Sequence, residues 1–295
     1  MPSEAHDSDD RLSIGQCATL ACLLEVAAPK PGNVHRGADF ADLHFNDFLL
    51  SAVAIGPIME EAHQQPLGRT VLRAIQATRR LVGTNTNLGT VLLLAPLAKV
   101  PRDEPLAAGV GEVLATLTSD DARDVYEAIR TAQPGGLGTV ERMDVAQPPP
   151  DDLLAAMRAA AEVDLVARQY AEDFNDVLRH VAPWLVEGVE AGWTLPKSVV
   201  HVQMRLLARF GDGLICRKCG VEVSQEAAAR AGVVLAVGDP PSAGYAQALA
   251  DFDFWLRADG HRRNPGTTAD LIAAGLFVAL RDRTIPLPAN WSGEG

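Results

Sequence analysis

The chain has 295 residues, 47% of them hydrophobic, ample for a buried core, and carries a formal net charge of −12. That charge argues against DNA or RNA as a main partner, because nucleic-acid binding shows a basic face at the level of a whole domain; small phosphorylated ligands need only a local cluster of cations and backbone donors. Charges, Gly or Pro interrupt every apolar run before the roughly 18–20 residues that a membrane span needs, so a soluble, cytoplasmic protein without a membrane partner is expected.

Residues 1–10, MPSEAHDSDD, are polar and acidic and are expected to be disordered, with neither the basic region nor the apolar stretch of a targeting signal. Residues 11–295 are expected to form a single all-α catalytic domain, a multi-helix bundle whose polar loops converge on one nucleotide or phosphate site. Ala and Leu dominate and aromatics are only 5%, which suits tightly packed helices better than a sheet. Apolar residues recur at helical spacing over about 11–28, 46–64, 67–82, 87–99, 104–117, 119–132, 151–182, 195–210, 221–231, 242–259 and 267–282. The best strand candidate, GVVLAVGD at 232–239, is short and isolated and offers no parallel sheet for a dinucleotide fold. Ser119 with Asp120 and Asp121, and Asp151 with Asp152 after a run of prolines, read as helix starts.

Five breaks between helices carry more polar groups than a helix end requires. APKPGNVHRG at 28–37 stops the first helix, since Pro29 and Pro31 push the residues before them out of the α region. Around Lys30 it adds Gly32, where a backbone can approach closely, and the polar side chains of Asn33, His35 and Arg36. GTNTNLG at 83–89 crowds Asn85, Thr86 and Asn87 at the start of a very apolar helix, where one such residue would serve as a cap. QPGGLG at 133–138 places Gly135 and Gly136 in a turn of backbone donors, without the strand or the Lys-Ser/Thr ending of a P-loop. In AEVDLVARQYAEDFNDV at 161–177, Asp164 and Arg168 lie one helical turn apart and Asp173 follows Tyr170; solvated salt bridges are the default reading there.

The last break has two parts. HVQMRLLARFGDGLICRKCG at 201–220 holds His201, Asp212, Arg217 and Lys218, and NPGTTADL at 264–271 gathers Asn264, Gly266, Thr267, Thr268 and Asp270 at a helix start. This excess fits a phosphate and magnesium site, because Mg²⁺ takes one or two carboxylates together with phosphate oxygens and water. The Cys-x-x-Cys at Cys216 and Cys219 has no second half that would complete a zinc site and no βαβ context for a redox pair.

Taken in order, KPGNVH, TNTNLG, PGGLG, the segment Asp212–Gly220 and NPGTTADL resemble the triphosphoribosyl-dephospho-coenzyme A synthase family, over roughly residues 12–282. The resemblance implies an all-helical transferase that displaces adenine from ATP and joins the 5-triphosphoribosyl group to the 2′-hydroxyl of dephospho-coenzyme A. The sequence departs from the lyase-associated members at TNTNLGTVLLLAPL and AIRTAQPGGLG, where it is similar to a divergent branch of archaea and of bacteria with methanopterin-type cofactors. The alternative acceptor is accordingly a ribitol-containing precursor of tetrahydromethanopterin. A non-catalytic nucleotide-binding protein is the alternative outside catalysis. A magnesium-dependent ADP-ribose hydrolase ranks third, since Asp-Asp pairs occur only at 9–10, 120–121 and 151–152, in polar or capping contexts.

For the implied reaction the expected roles follow. Lys30, Arg217 and Lys218 are the cations for the triphosphate, Asp212 and Asp270 the magnesium ligands, and the 266–268 N–H groups the donors. Asn85, Thr86 and Asn87 hold ribose or base, Asp164 or Asp173 is the general base, and His35 or His201 protonates adenine. Small-molecule nucleotides are the expected partners, and a homodimer the expected assembly.

Overall fold

The computed structural model describes residues 11–134, 149–288 and 290; the expected disordered residues 1–10 and the Gly135–Gly136 turn lie outside them. The described residues form helices and no sheet: α1 Ile14–Ala27, α2 Phe45–Glu60, α3 Leu67–Leu81, α4 Leu88–Lys99, α5 Leu106–Ala115, α6 Ser119–Ala132, α7 Leu153–Ala160, α8 Leu165–Ala171, α9 Ala182–Glu190, α10 Leu195–Phe210, α11 Gly213–Cys219, α12 Val221–Val237, α13 Ala243–Arg257 and α14 Gly266–Arg281. None is long and apolar enough to cross a membrane.

Two helices form the centre. In α4, LGTVLLLAPLAK, ten positions from Leu88 to Ala98 are buried, and α14 is buried from Leu271 through Arg281. A helix that is apolar on all sides must be enclosed, and α1, α3, α9 and α10 pack around these two. Their N-terminal ends lie side by side, because the Thr90 hydroxyl of α4 donates to Oδ1 of Asp270 in α14 at 2.6 Å. A smaller apolar cluster, with Met204, Ile215, Ala227, Val234, Phe252 and Leu256, joins α12 and α13 to α10 and α11.

Two expectations about elements need correction, and one helix is additional. The strand candidate at 232–239 is the last part of α12, which runs to Val237; its buried positions Ser224, Ala227, Ala231 and Val234 recur every three or four residues, a helical period that outweighs the β-branched valines. The long helix at 151–182 is broken: Asp164 turns its side chain onto the N–H groups of Val166 and Ala167 to start α8, and Asp173 and Phe174 take left-handed backbone before a π-helical turn over Val177–Val181. The short helix α11 starts at Asp212, which accepts from Leu214 N and Ile215 N.

Candidate functional site

A cavity of about 390 Å³ opens where the beginnings of α4, α8 and α14 meet the end of α11 and one side of α1 and α2. One wall is acidic. Glu25, from the last turn of α1, and Asp270, one turn into α14, both line it. Asp270 packs over Gly89 of α4, where a Cβ would come within 2.6 Å of the Asp270 Cγ, so only glycine leaves room for the carboxyl. Burial raises the Asp270 pKa to about 8; the Thr90 hydrogen bond opposes this, while Glu25, Asp212 and Asp164 add to it. Cys22, one turn before Glu25, shares this wall, and burial pushes its thiol up.

The other polar wall is cationic. Arg217 and Lys218, in the last turn of α11, line the cavity beside Asn264, Gly266 and Thr267. Arg217 donates to Asp164 Oδ2 at 2.6 Å, which ties α11 to the start of α8, while Asp164 Oδ1 caps that helix. The Lys218 ammonium is half-buried, which pulls its pKa below the usual lysine value. First-turn N–H groups of α4 and α14 add the positive ends of two helix dipoles.

Between these walls lie amides and hydroxyls. Asn33 donates to Asn264 Oδ1 at 2.5 Å and accepts from Gln203 of α10 at 2.8 Å. Asn85 accepts from Leu88 N at 3.2 Å, Thr86 pairs with Ser51 of α2 at 2.5 Å, and Asn87 donates to Thr78 at 3.0 Å. The remaining surface is apolar, with Leu43, Phe48, Ile129 and Met157 among the lining residues.

Of the residues expected from sequence, the cavity thus gathers Asn33, Asn85, Thr86, Asn87, Asp164, Arg217, Lys218, Asn264, Gly266, Thr267 and Asp270. The others are elsewhere. Lys30 is fully buried: its ammonium turns back onto the end of α1, donating to the Glu25 carbonyl and meeting the Glu25 carboxylate at 2.8 Å. It reaches the cavity only through Glu25. Gly32, at φ 73°, donates its N–H to Asp253 of α13 at 2.7 Å and packs on Leu256. Arg36 is exposed outside the cavity.

His35 accepts from Gly37 N at 3.2 Å outside the cavity, its pKa lowered by burial and by Arg257. His201 lies 3.2 Å from the Tyr245 hydroxyl and edge-on to Trp193, as a histidine satisfied within the packing, with a pKa also lowered by burial. Asp173 is exposed, outside the cavity. Arg168 pairs with Asp176 at 2.6 Å, whereas Asp164 is taken by Arg217.

Asp212 is a correction of chemical substance. It is buried outside the cavity, and four donors use its carboxylate: Leu214 N and Ile215 N on Oδ1, and Thr268 N and Oγ on Oδ2, at 2.7–3.1 Å. Thr268 is likewise consumed in this latch. Among the described residues no group of three His, Cys, Asp or Glu side chains is placed to hold a metal ion. With four donors on its carboxylate and no place in the cavity that Asp270 lines, Asp212 is not positioned to share a magnesium ion with Asp270.

Sequence reasoning missed Glu25, Thr90, Gly89, Ser51 and Gln203. Thr90 and Gly89 belong to the polar segment that begins at Thr84 and were legible there. Glu25 gave no signal, because a lone charge within a helix usually faces water.

The fold and cavity define a class, all-α proteins with a cavity between helix ends lined by both polar and apolar side chains. The sequence profile of CitG, described as ATP:dephospho-CoA triphosphoribosyl transferase, matches residues 11–288, and the chain belongs to this family of transferase enzymes. Among solved structures it is similar to that of a proposed triphosphoribosyl-dephospho-CoA synthase from Archaeoglobus fulgidus, at 26% identity and a TM-score of 0.60, over 79% of this chain and 98% of that one. No curated protein matches significantly.

Proposed function

We propose that the cavity binds ATP and that the enzyme transfers its 5-triphosphoribosyl group to a hydroxyl of dephospho-coenzyme A, releasing adenine. The observation that supports this best is the convergence of Arg217, Lys218, the start of α14 and the Glu25–Asp270 wall on one cavity. Arg217, Lys218 and the Thr267 N–H at the start of α14 receive the triphosphate; of the three expected donors at 266–268, the Gly266 N–H is taken by the Asn264 carbonyl and the Thr268 N–H by Asp212. Magnesium enters with the triphosphate as part of the substrate. Asn33, Asn85, Thr86 and Asn87 offer donors and acceptors for ribose and base, and the surface around Phe48, Ile129 and Met157 takes the flat or extended apolar parts of the two substrates.

A second acceptor is favoured by one observation. The segment TNTNLGTVLLLAPL, at which the sequence departs from the lyase-associated members it resembles, supplies cavity wall from Asn85 to Thr90. A ribitol hydroxyl of a methanopterin precursor is the acceptor this suggests. Incubation with ATP and each acceptor, followed by chromatography of free adenine, decides between them. Release that depends on dephospho-coenzyme A supports the first acceptor, release only with the ribitol compound the second, and ATP binding without release under either would contradict catalysis.

A further inference from the structure

Two carboxyl groups share one wall of the cavity and differ in what surrounds them. Glu25 is ion-paired at 2.8 Å with an ammonium that has no exposure to solvent. Among the described residues no cation pairs with Asp270: one oxygen accepts from the Thr90 hydroxyl at 2.6 Å, and the other lies over Gly89. We propose that the pair divides the proton chemistry of transfer, with Asp270 donating a proton to departing adenine and Glu25 accepting the proton of the incoming hydroxyl. The proposal rests on the transferase reading above. It replaces the two histidines, which lie outside the cavity.

The step balances as follows. The C1′–N9 bond of ATP breaks with its electron pair going to the base, and the Asp270 proton is delivered to a ring nitrogen, so that neutral adenine leaves. The acceptor oxygen bonds to C1′ and its proton passes to Glu25. Transfer of that proton from Glu25 to Asp270 through water restores the starting state. Two carboxyls whose environments differ are the recurring arrangement for such paired duties, and burial, which pushes Asp270 up to about 8, leaves it a proton to give at neutral pH. The groups around Asp270 are Glu25 and Cys22 from α1, Thr90 from α4, and Asp164 and Asp212 at the starts of α8 and α11; the nearby cations are engaged or lie across the cavity, Lys30 on Glu25, Arg217 on Asp164, and Lys218 on the cavity wall beside Arg217.

The test compares leaving groups. ATP needs a proton on its base, whereas the triphosphate of nicotinamide riboside carries a cationic base that departs neutral without one. Asp270→Asn should slow adenine release by about 100-fold or more, within the range for loss of a general acid, yet leave nicotinamide release within about threefold of wild type. Glu25→Gln should slow both. Thr90→Val, which keeps the shape of the wall, should move the basic limb of the kcat/KM profile for ATP to higher pH, because the lost hydrogen bond held the Asp270 pKa down. Equal slowing of both leaving groups by Asp270→Asn, or loss of ATP binding by more than about tenfold in both carboxyl variants, would overturn the proposal in favour of a binding role. Wild-type protein that releases neither base with any hydroxyl acceptor would instead remove the transferase reading itself.

Discussion

Gly89 shows how little space separates the two central helices at the cavity. Adding one methyl group there places it against the Asp270 carboxyl, so Gly89→Ala should cost about 1–3 kcal/mol of stability and most of the activity. The double variant Gly89→Ala, Asp270→Ala should recover much of the stability and none of the activity, as read by urea melts beside an adenine-release assay. Asp270 also gives stability a pH dependence in protein free of nucleotide and metal. Its folded pKa of about 8 lies above the ordinary 3.8, so between these values the native state binds more protons than the unfolded state. Its contribution is present below about pH 4 and is lost as pH rises through 8. Asp270→Asn should therefore be the more stable protein at pH 8.5 by roughly 1–3 kcal/mol, a figure reduced for solvent in the cavity, with the difference shrinking at pH 5. A stability difference between the two proteins that stays the same at pH 5 and pH 8.5 would contradict the burial of Asp270. At this scale the sequence was least legible: Lys30 and Asp270 are both charged residues beside helix ends, and only packing decides that one turns into its own helix while the other faces the ligand space.

Among the elements, the starts of α11 and α14 are joined by a single carboxylate. Asp212→Ala removes the cap of α11 and leaves Thr268 N–H and hydroxyl buried without their acceptor, which should cost about 2–4 kcal/mol. Because Arg217 and Lys218 ride on α11, the same variant should raise the KM for ATP more than it lowers kcat; an unchanged KM would contradict the latch. Helices with apolar periodicity, such as α3 and α10, and the continuous apolar runs of α4 and α14 were readable within one or two residues from sequence. The segment 151–182 was not, because Asp164 can serve either as a mid-helix charge or as a cap, and the choice is made by Arg217, more than fifty residues away. The valines of 232–237 misled for the opposite reason, since their β preference is small beside the helical spacing of what α12 buries.

Over the whole molecule, the cavity stands at the N-terminal end of the most buried pair of helices, while α12 and α13 pack through a separate apolar cluster. Backbone amides in the middle of α4 and α14 should therefore exchange with solvent slowest, and those of α12 and α13 earlier. Addition of ATP should protect the starts of α4 and α14 and the end of α11 together, and protection confined to one of them would argue against a shared ligand. The overall architecture was legible because an Ala- and Leu-rich chain with helical periodicity has few other ways to bury its surface. The cavity was only half legible, since polar residues at helix breaks announce themselves and a glutamate on a helix does not. The central claim is that C1′ of ATP changes partners within this cavity. Mass spectrometry of a reaction containing ATP labelled with ¹³C in its ribose, dephospho-coenzyme A and the protein tests it most directly. The account predicts unlabelled adenine and an acceptor heavier by the labelled triphosphoribosyl group; labelled free ribose triphosphate, or label retained wholly in adenine nucleotide with every hydroxyl acceptor, would contradict it.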